Sequence, residues 1–153
     1  MDEMNNDRLH NKKAVTLPEM MISVMVCLIA IVGILYSYLK CLELQDLGRN
    51  VSVATQAVRN KMEAIKNTSF ATIYSTYNNT TFTVTGINGR GIVYVNNSNP
   101  SLLQVKIAFC WKQPNGRLLG EDANLNGVLN AGEDKNGNGQ IDSYVQITTN
   151  IYG

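Results

Sequence analysis

The chain is short of the residues on which most enzyme chemistry depends. In 153 residues it has one histidine, His10, one tryptophan, three prolines and three cysteines. A single imidazole leaves no histidine acid–base pair, and the scattered Ser and Thr residues have no base at a telling spacing, so no catalytic arrangement is expected. Lys and Arg (13) nearly balance Asp and Glu (12), for a formal net charge of +1. That balance excludes the basic surface of a nucleic-acid binder, and without a basic groove the tyrosines read as sheet and membrane-interface residues, not a base-stacking platform. Cys27, Cys41 and Cys110 do not make a disulfide framework. Charge itself is absent from one long stretch, residues 20–39.

That stretch organises the chain. About 20 uncharged residues at 1.5 Å of helical rise each cross the roughly 30 Å core of a bilayer, so residues 15–40 are expected to form a transmembrane helix. Lys12 and Lys13 lie just before it and favour a cytoplasmic amino terminus, with the remainder extracytoplasmic. A secretory signal would end its apolar run in a small-residue cleavage site, and none follows here. A carboxylate, Glu19, stands at the mouth of the run just after Pro18. An unpaired charge there is costly to bury and calls for a partner.

Ala14-Val15-Thr16-Leu17-Pro18-Glu19 followed by an apolar helix resembles the amino-terminal signal of type IV pilins and type II secretion pseudopilins, most closely their minor subunits, in which Pro precedes the Glu. The resemblance implies a leader of residues 1–14, cut by a prepilin peptidase between Ala14 and Val15, and methylation of the new amino terminus at Val15. The family more often has Gly before the cut and an aromatic after it. The resemblance further implies partners: other pilin or pseudopilin subunits and an assembly platform in the inner membrane. In a filament, Glu19 would meet the positive amino terminus of a neighbour inside an apolar bundle, where a buried unpaired charge would cost several kcal/mol and the pair would set register. In a monomer, Glu19 sits at headgroup level or against the positive end of the helix dipole.

Beyond the span, Leu44, Leu47, Val51, Ala54, Val58, Met62 and Ile65 recur at three- and four-residue steps. Residues 41–66 are therefore expected to continue the same helix as an amphipathic half, roughly 75–80 Å in all, ending near Asn67-Thr68-Ser69. From residue 81 the period becomes two. Strands are expected on either side of Asn88-Gly89, a dipeptide suited to a tight hairpin turn, then from Leu103 to Trp111 and from Tyr144 to Ile151. Cys41 and Cys110 could pair in an oxidising compartment, but the alternation in the third strand sets Cys110 with Gln104 and Lys106, away from the core, which argues against that bridge. Helix first and antiparallel strands afterwards is an α+β order, with residues 67–153 as a carboxy-terminal sheet domain. The pilin-like family shares that order.

Residues 121–142 interrupt the sheet with EDANLNGVLNAGEDKNGNGQID, an internal repeat of period twelve in which five acids face one lysine. Ca²⁺ takes six to eight oxygens, and an EF-hand loop supplies them from positions 1, 3, 5, 7, 9 and 12 with Gly at 6. Counted from Asp122, the ligands are Asp122, Asn124, Asn126, the Val128 carbonyl, Asn130 and Glu133, with Gly127 at the turn. Counted from Asp134, they are Asp134, Asn136, Asn138, the Gln140 carbonyl and Asp142, with Gly139 at the turn and Val145 where the twelfth acid should be. The second set is incomplete unless water or another segment supplies an oxygen. Asn, Gly and Asp are ordinary loop residues, but their repeated spacing favours Ca²⁺. The many neutral ligands point to an affinity of about 10⁻⁴–10⁻³ M, suited to extracellular Ca²⁺. The expected function is a minor pilin or pseudopilin with a calcium-stabilised extracytoplasmic domain. The alternative is a membrane-tethered calcium-binding or adhesion module that never polymerises.

Overall fold

The computed structural model describes residues 16–153. The expected leader, with Ala14 and Val15, lies outside the described residues. The chain divides into two compact units, one ending at Glu43 and one formed by Leu44–Gly153. Helix α1 (Leu17–Lys66) contributes to both.

In the first unit α1 exposes large apolar side chains on every side, among them Leu17, Met21, Ile29, Val32 and Ile34. An 18-residue window reaches a mean hydropathy of 2.5 with none of it buried, so the helix is long and apolar enough to cross a membrane. Pro18 falls in the first turn, where an N–H would lack an intrahelical acceptor anyway. Ser23 and Ser37 return their hydroxyls to the carbonyls of Glu19 and Gly33, at 2.8 and 2.9 Å, so neither needs an outside partner.

The second unit sets the rest of α1 and a short helix α2 (Phe70–Tyr77) against one antiparallel sheet. Its strands are β1 (Thr80–Phe82), β2 (Gly89–Asn99), β3 (Leu102–Lys112), β4 (Leu118–Leu119) and β5 (Val145–Tyr152). β1 pairs with β2 and β2 with β3, while β4 and β5 both pair with the remaining edge of β3. Alternation along β3 sends Leu103, Val105, Ile107, Phe109 and Trp111 to one face. There they are buried with Ala54, Val58, Met62 and Ile65 of α1 and Ile73 of α2. This is the α+β arrangement expected, with α1 ending at Lys66. The stripe is narrower than its periodicity suggests: Leu44 is 67% exposed and Val51 36%, and full burial begins at Ala54.

One expectation is corrected and another is extended. Asn88-Gly89 does not form a tight hairpin turn. Gly89 opens β2 opposite Trp111, and the Lys112 N–H donates to the Asn88 carbonyl at 2.9 Å. β1 still pairs with β2, Thr80 to Val93 and Phe82 to Gly91, across a longer connection through residues 83–88. The long β2–β3 ladder has claimed the dipeptide. Glycine is required at 89 for closeness, since a Cβ would lie 2.6 Å from the Cys110 carbonyl oxygen and 2.7 Å from Trp111 Cβ. Cys110 does lie on the face opposite the core, but that face is not solvent there: the thiol is free and only 1% exposed, packed with Ile92, Ala108 and Ile141.

Candidate functional site

Residues 120–144 leave the sheet after β4 and return at β5, and they build two loops of the same design. In the first, the Asp122 carboxylate accepts the N–H groups of Asn126 (3.1 Å) and Gly127 (2.7 Å), Asn124 Oδ1 accepts Asn126 N–H (2.9 Å), and Asn126 Oδ1 accepts Val128 N–H (2.7 Å). In the second, Asp134 accepts Asn138 (3.1 Å) and Gly139 (2.8 Å), Asn136 Oδ1 accepts Asn138 N–H (3.1 Å), and Asn138 Oδ1 accepts Gln140 N–H (2.8 Å). The sixth positions match as well, Gly127 at φ 75° and Gly139 at φ 73°, in the left-handed region that glycine enters without strain. Twelve residues of sequence period thus become a repeat of hydrogen bonds.

The first loop brings Asn126, Val128, Asn130 and Glu133 together. Asn130 Nδ2 donates to the Val128 carbonyl at 2.9 Å and to Glu133 Oε2 at 3.1 Å, with Asn126 Oδ1 at 3.5 Å, so the oxygens of positions 5, 7 and 12 surround one point. Asp122 is 1% and Glu133 6% exposed. Burial works against ionisation of Glu133, but the N–H groups of Asn130 and Ala123 outweigh it and hold the carboxyl below its ordinary range. In the second loop Asn136 and Asn138 each place Nδ2 2.6 Å from Asp142 Oδ2, while Asp142 Oδ1 pairs with Lys106. Asp142 is likewise held below the usual carboxylate range, its partial burial outweighed by Lys106, Asn136 and Asn138.

Val145, at the twelfth place of the second loop, is buried opposite Phe109 at the head of β5, so the sheet has taken the position an acid would need. Another residue fills the role. Glu133 donates its N–H to the Asn130 carbonyl and accepts from Asn130 N–H (2.8 Å) and Ala123 N–H (2.9 Å). Glu121 donates its N–H to the Asp142 carbonyl and accepts from Asp142 N–H (3.0 Å) and Lys135 N–H (3.3 Å). Position by position these are the same three bonds, made to the ninth and second residues of each loop. Glu121 thus stands to the second loop as Glu133 stands to the first. The sequence signal was the repeat itself, in which Glu121 and Glu133 occupy equivalent places.

Among the described residues no three His, Cys, Asp or Glu side chains gather as a metal group. The side chains that order the two loops are carboxylates and amides, with no imidazole or thiol among them. Glu19 belongs to the other unit, in the first turn of α1. Comparison with family models, with curated proteins and with solved structures returns no match to this chain.

Proposed function

We propose that the chain is a non-enzymatic structural subunit of a type IV pilus or a type II secretion-like filament, a minor pilin or pseudopilin, with a calcium-stabilised extracytoplasmic domain. The observation that carries this reading is the run Ala14-Val15-Thr16-Leu17-Pro18-Glu19 at the head of a helix whose apolar residues are exposed all round. A helix of that kind is stable in lipid before assembly and among its neighbours' helices after it. The prepilin peptidase would cut after Ala14, Val15 would be methylated, and Glu19 would pair with a neighbouring subunit's amino terminus. The subunit would wait in the inner membrane with its amino terminus cytoplasmic and its sheet domain outside.

Calcium is the proposed ligand of the insertion. Asp122, Asn124, Asn126, the Val128 carbonyl, Asn130 and Glu133 would hold one ion. Asp134, Asn136, Asn138, the Gln140 carbonyl and Asp142 would hold a second, with Glu121 as the acid that the sequence spacing lacks. Bound ions would neutralise a segment of net charge −4.

Intact-mass and amino-terminal peptide mass spectrometry on protein from its own membrane tests the first part. The expected result is a chain beginning at N-methylated Val15. A chain that keeps residues 1–14 would replace this reading with the tethered calcium-binding or adhesion module. Calorimetric titration with Ca²⁺ tests the second part, with two ions expected for the native chain.

A further inference from the structure

The insertion is short of regular structure, and its backbone donors are answered by its own side chains: Asp122, Asn124 and Asn126 in one loop, Asp134, Asn136 and Asn138 in the other. Its grip on the sheet is equally sparse. Arg90 Nε donates to the Leu125 carbonyl at 2.8 Å, Ile141 N–H donates to Tyr94 Oη at 3.0 Å, Lys106 pairs with Asp142, the Cys110 thiol donates to the Asp142 carbonyl at 3.7 Å, and Ser143 Oγ donates to the Phe109 carbonyl. Beneath these contacts lies a small apolar floor of Ile92, Ala108 and Cys110, closed from above by Ile141 with Leu125 and Leu129 packed against it. The ends of the insertion are fixed, because Leu119 pairs with Trp111 and Val145 with Phe109 on either side of Cys110. The stems of the insertion are thus paired with β3, while its body forms no strand of the sheet.

What holds the body together is an exchange. Glu121 precedes the first loop and closes the second, while Glu133 closes the first and precedes the second. Neither loop is complete without a residue attached to the other. We propose that the insertion is a single cover over the back of the sheet, latched by the reciprocal placement of Glu121 and Glu133, and that releasing either glutamate opens both loops together and uncovers Cys110. This deepens the calcium reading, on which one point rests: bound calcium keeps the latch shut.

The buried thiol is its own reporter. In the full-length chain in detergent, with Cys27→Ser and Cys41→Ser removing the exposed thiols, maleimide labelling of Cys110 follows the opening of the cover. Glu121→Gln and Glu133→Gln should each speed labelling by about tenfold or more, and the double variant should be no faster than the quicker single one. Hydrogen exchange should show Gly127 and Gly139 losing protection together in both single variants, while Ile107 in the centre of β3 keeps its own and certifies that the sheet is folded. The proposal is overturned if Glu121→Gln loosens only Gly139 and Glu133→Gln only Gly127, if the two effects add, or if labelling is unchanged. Repeating the native measurement with about 1 mM Ca²⁺ and with chelator separates the two ideas. Equal labelling in both with no calorimetric binding removes the calcium reading and leaves the latch to stand or fall on the glutamate variants.

Discussion

The two faces of β3 are held by different physics. One face carries Leu103, Val105, Ile107, Phe109 and Trp111 against the two helices, and its stability comes from apolar area removed from water. The other carries Lys106, Ala108 and Cys110 under a polar insertion whose order comes from carboxylates and amides answering backbone donors. The first should be indifferent to acid and ions, and the second should respond to both. A single strand thus separates a permanent core from a conditional one.

The harshest way to break this contrast is in the permanent core. Phe109 is fully buried between Phe82 and Trp111, with ring centroids at 5.8 and 6.3 Å, and Phe109→Ala should lower stability by about 3–5 kcal/mol in urea unfolding of the full chain in detergent. Asp122→Ala should cost about 1–3 kcal/mol, because it leaves the Gly127 N–H without its acceptor and the Asn126 N–H with Asn124 alone. Hydrogen exchange should place that loss in residues 120–144 and leave β2 and β3 protected. Equal loss of protection in the sheet would erase the distinction between the faces.

Lys106→Met removes the cationic partner of Asp142 from a partly buried pair and should cost about 1 kcal/mol, read in the same unfolding assay. Mild acid should do least. Glu133 and Asp142 are both held below their ordinary ranges, so their contribution is complete above the unfolded-state values and is lost as pH falls through the lower folded-state values. Hydrogen-exchange protection of Gly127 and Gly139 should therefore hold down to about pH 5, and the insertion should loosen only below about pH 4. Loosening between pH 5 and 7 would mean that other groups hold it.

Period was the legible part of the sequence. The three- and four-residue steps that end at Ile65, the alternation from Leu103 to Trp111 and the final strand all survive in the fold, because one face of each meets a common core. Helix α2 was not legible: Phe70-Ala71-Thr72-Ile73-Tyr74-Ser75-Thr76-Tyr77 is rich in strand-forming residues, and burial of Ile73 against the core decides its conformation. Asn88-Gly89 carried a local turn signal that a longer ladder overrode. The two loops were readable from their spacing, yet Glu121 was not assigned, because a count along the chain arrives at Val145 and only the closed structure returns to a residue before the first loop.

The registers of β4 and β5 describe something simpler than two strands. Lys112 and Trp111 face Leu118 and Leu119, Phe109 to Leu102 face Val145 to Tyr152, and all of residues 120–144 occupy the place of the one residue that would face Cys110. In effect β4 and β5 are halves of one strand, and the insertion is an oversized bulge. Because the entropy of closing a loop grows only with the logarithm of its length, the sheet is nearly indifferent to how much chain emerges there. The position is a port: a surface module can be lengthened, exchanged or removed at that point while the strand on either side keeps its partners.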